Sequence, residues 1–182
     1  MTKKTILTID FDGIICRPMF NRNWGIHSTP LNPNQITEHA MIVPRWWGNV
    51  WDHIRFNKRI LLPDTVEALE NLAQLRTLIL LTGRRSSPEK WLIKYNLTHY
   101  FSDIIINTGP YKSAYHKLNY IQSLKATEHI DDDPRTVWLL SQYSDATIFL
   151  QNWPKNQNLK IHKPIERVNN LLELFYFLRK NS

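Results

Sequence analysis

Two aspartates one residue apart, Asp10 and Asp12, close the short run Lys4-Thr5-Ile6-Leu7-Thr8-Ile9 and are followed by Gly13. A run this rich in β-branched and apolar residues reads as a buried strand. Where such a strand ends in an open α/β sheet, its carboxyl edge opens into the crevice that binds ligands. Two carboxylates placed there repel each other and resist desolvation, so a divalent cation is their natural neutraliser. Taken alone, the segment also fits a capping Asp pair in a strand-to-helix turn. Three further segments tell against that reading. The run Thr77-Leu78-Ile79-Leu80-Leu81 ends in Thr82-Gly83-Arg84-Arg85, where a hydroxyl and an easily approached backbone N–H suit a phosphoryl oxygen. Lys117 falls near the start of a helical pattern, and Thr127-Glu128-His129-Ile130 runs into Asp131-Asp132-Asp133-Pro134, three successive carboxylates at another strand end.

The elements that must carry these groups alternate regularly. After Pro63, Val66, Leu69, Leu72 and Leu75 recur at helical spacing. The expected order then continues with a helix from Ser87-Pro88-Glu89 through Tyr95, a strand at 103–106 and a helix at 114–124. Pro134 should open another helix, followed by a strand at 146–150 and an apolar closing helix over 165–178. This βαβαβαβαβα order predicts an α/β fold with a doubly wound, mostly parallel sheet and helices on both faces. Acids at the ends of two non-consecutive strands, and Thr82 at the end of a third, converge only if those strands are neighbours.

Residues 17–60 have a different texture, rich in Asn, Pro, Trp and Arg, and four of the seven tryptophans lie there. Within it, 43–56 reads as one helix with an aromatic face. The expectation is one domain, with a core of 1–16 and 61–182 and a small, largely helical cap inserted at 17–60. Most of its rings should form the cap's own core. Trp47 and Trp51 share a helical face, whereas Trp46 lies about 100° from Trp47, so Trp46 and the 20–24 loop are the candidates to meet substrate.

With 182 residues, 42% hydrophobic and 21% charged, the chain has the balance of an ordinary water-soluble domain. No apolar run approaches the ~18 residues of a membrane span, so no membrane partner is expected. Met1-Thr2-Lys3-Lys4 leads directly into the first strand, so no signal peptide is expected, and one cysteine, Cys16, fits the reducing cytoplasm. Cys16 reads as a buried small hydrophobe rather than a reactive thiol. The formal charge of +7 favours an anionic partner, but no basic run exceeds two residues, so nucleic acid is not favoured over a small phosphate ester.

Asp10-Phe11-Asp12-Gly13, Thr82, Lys117 and Asp131-Asp132-Asp133-Pro134 together resemble the four ordered motifs of the haloacid dehalogenase superfamily of phosphohydrolases. The resemblance covers nearly the whole chain outside the insertion, which lies where many members carry a cap. Where the family often has Thr after the first-motif glycine, this chain has Ile14. The resemblance implies a Rossmann-like core and Mg²⁺-dependent phosphomonoester hydrolysis, with Asp10 as nucleophile and Asp12 as general acid and base. It implies Thr82, Gly83 and Lys117 on the phosphate, with Lys112 the rival to Lys117. It further implies metal contacts from the side chains of Asp10 and Asp132 and the backbone carbonyl of Asp12. Asp131 would stand behind them, though which of Asp131, Asp132 and Asp133 is the direct ligand stays open at this point.

The chain also resembles, more weakly, the 5′-deoxyribonucleotidases, through Gly13-Ile14-Ile15, the aromatic insertion, Lys90-Trp91-Leu92 and Asn152-Trp153-Pro154. The substrate is thus a nucleoside monophosphate, another small phosphomonoester or a polynucleotide end. A non-catalytic phosphate- or nucleic-acid-binding protein of the same fold is the alternative. Phe20, Trp24, Trp46 and Arg84 are the candidate leaving-group contacts. Trp24→Ala or Trp46→Ala should raise KM for the true substrate by roughly tenfold, one stacking contact's worth, yet spare acetyl phosphate hydrolysis. Trp51→Ala should instead lower the melting temperature. Unchanged substrate selectivity in both Trp24 and Trp46 variants would exclude readout through these rings.

Overall fold

A computed structural model of the chain describes residues 4–17, 59–154, 156–158 and 165–181. The expected cap and its Phe20, Trp24, Trp46, Trp47 and Trp51 lie outside the described residues.

Six strands form one parallel sheet: β1 (Ile6–Ile9), β2 (Thr77–Leu81), β3 (Asp103–Ile105), β4 (Glu128–Asp131), β5 (Thr147–Gln151) and β6 (Glu166–Val168). Their spatial order is β3-β2-β1-β4-β5-β6, so β1 lies between β2 and β4. This is the adjacency that the convergence of acids and Thr82 required. Ile9 pairs with Leu80 on one side and Ile130 on the other, which brings the three chain ends to one edge.

Five helices cover the sheet among the described residues: α1 (Thr65–Leu75), α2 (Glu89–Lys94), α3 (Ser113–Leu124), α4 (Pro134–Tyr143) and α5 (Leu171–Lys180). The alternation of strand side chains assigns them to two layers. Leu7, Ile9, Leu78, Leu80, Ile130 and Phe149 pack with α1, α2 and α5 through Leu69, Leu72, Trp91, Leu92, Leu174 and Leu178. On the other face, Ile79, Leu81, Ile105, Ile148 and Leu150 pack with Ala114, Leu118 and Ile121 of α3 and Val137 and Leu140 of α4. The doubly wound α/β expectation therefore holds.

Helix starts follow local chemistry. Asp133 caps α4 by accepting the Arg135 N–H at 3.1 Å, and Pro134 occupies the first turn, where its missing N–H costs nothing. Asn170 caps α5 by accepting the Glu173 N–H at 2.8 Å, and Glu173 accepts back from the Asn169 N–H at 2.7 Å. One expectation is corrected here. The closing helix does not run from 165, because Glu166–Val168 forms the sixth strand and helix begins only at Leu171. Val168 is buried against the sheet, and the paired Asn169-Asn170 turn separates strand from helix. A three-residue strand is too short to show a period of two, and Ile165, Val168 and Leu171 recur at a spacing of three that resembles a helical continuation.

Candidate active site

β1 delivers Asp10 to the sheet edge, where its backbone N–H extends the ladder to the Ile130 carbonyl at 3.1 Å. β4 delivers Asp131, and the next residue is Asp132. One carboxylate oxygen from each of Asp10, Asp131 and Asp132 lies within 4.8 Å of the others, and all three residues are buried. Lys117 reaches in from α3, on the same helical face as Ala114, Leu118 and Ile121. Its Nζ stands 2.8 Å from Asp10 Oδ1 and 2.6 Å from Asp131 Oδ2. Lys112, the rival, is exposed at the N-terminal cap of α3.

The three consecutive acids separate cleanly. Asp133 faces helix α4, with Arg135 Nε and Nη2 each 3.0 Å from its oxygens. Asp131 is saturated: Oδ2 accepts from Lys117 and lies 3.3 Å from His129 Nε2, while Oδ1 accepts from the Asp133 N–H at 2.9 Å. Asp132 Oδ2 is buried without a hydrogen-bond partner. A buried carboxylate oxygen left so is costly, and a ligand that accepts its lone pairs removes the cost. Gly13 makes room for it. Its φ is +84°, and a Cβ there would sit 2.1 Å from Asp132 Oδ2.

Asp12 lies outside the cluster and half-buried. Its Oδ1 accepts from Arg59 Nη1, with the Cys16 thiol 3.6 Å away. Arg59 itself is buried, and its carbonyl accepts from Trp91 Nε1 at 3.1 Å. The Asp12 loop is braced from β5 onwards, where Gln151 Nε2 and Trp153 Nε1 both donate to the Gly13 carbonyl, at 2.8 and 3.0 Å. Asn156 Nδ2 donates to the Asp132 carbonyl at 3.2 Å, so the same turn steadies both acidic loops.

Thr82 is buried at the end of β2, its N–H on the Ile105 carbonyl at 3.0 Å and its Oγ1 accepting from the Arg84 N–H at 3.3 Å. Gly83 presses on the start of α3, since a Cβ there would fall 2.0 Å from Ser113 Oγ. The Arg84 guanidinium lies 5.0 Å above the Phe11 ring, nearly buried, on the side of the loop near Cys16. Cys16 is buried as expected, and burial followed by Asp12 pushes its thiol above the ordinary range.

Electrostatics reflect three carboxylates sharing one ammonium. Burial pushes Asp10 up to about 7 against the pull of Lys117, with Asp131 and Asp12 adding to the rise. Burial also raises Asp132 well above the usual carboxylate range, and Asp131 and Asp10 add to it. Asp131 goes the other way: burial opposes ionisation there, but Lys117 and then His129 hold it below the ordinary range. For Lys117, burial favours the neutral amine, yet Asp10 and Asp131 keep the ammonium and raise it. An all-oxygen, carboxylate-rich set with an orphaned oxygen fits a hard divalent cation such as Mg²⁺.

Two site residues carried a signal that motif spacing alone passes over. Thr8 and His129 are fully buried and directly opposite each other in β1 and β4, Thr8 between Leu7 and Ile9 and His129 between Glu128 and Ile130. Arg59 carried none, because its contact with Asp12 spans 47 residues.

No protein-family model and no curated protein matches the sequence. Solved structures do match. A haloacid dehalogenase-like family hydrolase from Streptococcus pneumoniae superposes with a TM-score of 0.66 at 14% identity, over 98% of this chain and 100% of that one. The D,D-heptose 1,7-bisphosphate phosphatase of B. bronchiseptica, complexed with magnesium and phosphate, gives 0.59 at 10% identity, over 98% and 99%. The L-2-haloacid dehalogenase of Xanthobacter autotrophicus gives 0.63 at 9% identity, over 98% and 100%. The chain therefore has the fold of the haloacid dehalogenase-like hydrolases, as its motifs implied.

The raised Asp10 and Asp132 make cation binding proton-linked. Below about 7 Asp10 holds a proton that a cation must displace, so Mg²⁺ affinity should rise as pH climbs through that value. Calorimetry in two buffers of different ionisation enthalpy should register proton release near pH 6.5 and less near pH 8.5, both roughly chosen to bracket the transition. Binding without proton release at the lower pH would contradict this electrostatic account.

Proposed function

We propose that the chain is a Mg²⁺-dependent phosphomonoester hydrolase that works through an aspartyl-phosphate on Asp10, with a small phosphorylated metabolite, such as a nucleoside monophosphate, as substrate. The observation that carries this reading is the buried cluster of Asp10, Asp131 and Asp132, whose ligand atoms lie within 4.8 Å of one another. The same fold also serves a haloacid dehalogenase, so the fold leaves the chemistry open. Three clustered acids against one lysine favour a cation-bridged phosphate, because an anionic haloacid alone would meet net repulsion.

Asp10 and Asp132 would hold the cation by side chain and Asp12 by its backbone carbonyl. Bound there, Mg²⁺ supplies charge neutralisation to the acids and to the substrate's phosphoryl oxygens. The remaining work falls to the chain's own groups. Lys117 pins Asp10 Oδ1 at 2.8 Å and so orients the nucleophilic carboxylate. An Asp10 oxygen forms the new bond to phosphorus as the bond to the leaving oxygen breaks. Asp12 gives its proton to that oxygen, then takes one from the water that hydrolyses the acyl phosphate and frees Asp10. Arg59 on Oδ1 holds the Asp12 carboxylate in place for this transfer. Thr82, the Gly83 backbone and Lys117 take up charge on the equatorial oxygens.

A phosphoester panel with and without Mg²⁺ tests the reading. Asp10→Asn should abolish turnover while leaving the fold intact, and residual activity within about tenfold of wild type would rule out the covalent route. Asp12→Asn should cost roughly 10²–10⁴-fold with alkyl phosphates and less with p-nitrophenyl phosphate, whose leaving group needs no proton. Equal losses on both would remove Asp12 from the acid role. Absence of metal-dependent turnover across the panel would turn the assignment to a phosphate-binding protein.

A further inference from the structure

His129 lies on the sheet face covered by α3 and α4, fully buried and opposite Thr8 in the β1–β4 ladder. Its neighbours on that face are apolar, among them Ile79, Ile148, Ile121 and Val137. An imidazole in such a place must have both nitrogens accounted for. Nδ1 is 2.8 Å from Thr8 Oγ1, and Nε2 is 3.3 Å from Asp131 Oδ2. A fully buried, neutral ring has one N–H to place. Asp131 Oδ2 is a carboxylate oxygen and only accepts, so the hydrogen belongs on Nε2. Nδ1 then accepts from the Thr8 hydroxyl, in preference to that hydroxyl's longer 3.2 Å approach to the Glu128 carbonyl. The opposite tautomer would set a lone pair against a carboxylate.

The consequence reaches the nucleophile. Asp131 Oδ2 receives His129 and Lys117, and Oδ1 receives the Asp133 N–H, so the carboxylate is held from three directions. Lys117, anchored at 2.6 Å to that oriented group, stands 2.8 Å from Asp10 Oδ1. We propose that His129 is a positioning residue: the chain Thr8–His129–Asp131–Lys117 sets the ammonium against Asp10 and leaves Asp132 as the carboxylate available to a cation. Its role is orientation, and no proton moves along it. The expected effect on turnover rests on the hydrolase reading, whereas the hydrogen-bond assignment does not.

Two substitutions separate the two ends of the ring. The His129→Gln amide nitrogen takes the place of Nε2, keeping a donor for Asp131. His129→Asn keeps a polar group only toward Thr8. With p-nitrophenyl phosphate and Mg²⁺, His129→Asn should lower kcat by about tenfold to a hundredfold with KM nearly unchanged. His129→Gln should recover kcat to within about threefold of wild type. Circular dichroism should show the native fold in both variants, with His129→Asn the less stable because it leaves buried Asp131 short of a donor. Equal kcat losses in the two variants, or a loss confined to KM, would overturn the proposal. ¹⁵N NMR of the wild-type imidazole should show the Nε2–H tautomer, and an Nδ1–H tautomer would overturn it even if the variants fail to fold. If the wild type turns over no phosphoester, the hydrolase reading fails, and the tautomer still decides whether His129 holds Asp131.

Discussion

The ammonium of Lys117 sits between two carboxylates, 2.8 Å from Asp10 and 2.6 Å from Asp131, in a place that water scarcely reaches. Removing one partner of a buried pair typically costs roughly 3–5 kcal/mol, because the charge left behind stays desolvated. That constraint dictates much else. Lys117 must come from a helix lying across the carboxyl edge, Asp10 and Asp131 must leave adjacent strands, and the third acid, Asp132, is left uncompensated. A site with three acids and one buried base is incomplete as charge, and the upward shifts of Asp10 and Asp132 express this directly. Protons or a cation must make up the difference. In the proposed reaction a divalent cation makes up that difference.

Strand order turns four dispersed segments into this arrangement. With β1 between β2 and β4, residues around positions 10, 82 and 131 share one edge although up to 121 residues separate the registered pair Thr8 and His129. The sheet's two faces then divide the labour. The face of α1, α2 and α5 is apolar at every central strand position, with Leu7, Ile9, Leu80, Ile130 and Phe149. The face of α3 and α4 accepts Thr8, His129, Asp131 and Lys117 in a single hydrogen-bonded line. Polar groups in a core are tolerated when each is satisfied, and this line is satisfied throughout.

The legible parts of the sequence were those where chemistry and periodicity coincide. Asp10, Lys117 and the Asp131-Asp132 pair stood out because charged residues at the ends of apolar strands, or on the inward face of a helix, cannot be surface decoration. Which of the three acids points inward was not legible, since it depends on Asp133 turning to cap α4 and on Gly13 leaving space for Asp132. The sixth strand was hidden for a different reason: Glu166–Val168 is defined by its pairing with β5 and has no pattern of its own. Arg84 follows Thr82-Gly83 in the sequence, and its guanidinium lies 5.0 Å above the Phe11 ring, a contact that its place in the chain does not announce. The insertion's aromatic residues had a clear composition, but composition does not say which ring meets a ligand.

Asp12 shows how the core and the insertion are tied. Its loop is fastened from below by Gln151 and Trp153, which together occupy the Gly13 carbonyl at 2.8 and 3.0 Å. Its carboxylate is fastened from the side by Arg59, which lies at the C-terminal end of the segment expected as the insertion and whose own carbonyl is tied to the Trp91 indole. Trp91 packs edge-on against Phe11 at 5.0 Å, and Phe11 lies between the two aspartates. A shift of the chain at Arg59 is therefore transmitted to both sides of Asp12, through the guanidinium and through the Trp91–Phe11 contact. Asp10 has further restraints of its own from β4 and α3, through Ile130 and Lys117. In the proposed mechanism the nucleophile answers to the sheet, while the proton-transfer group answers to the segment that would meet the leaving group.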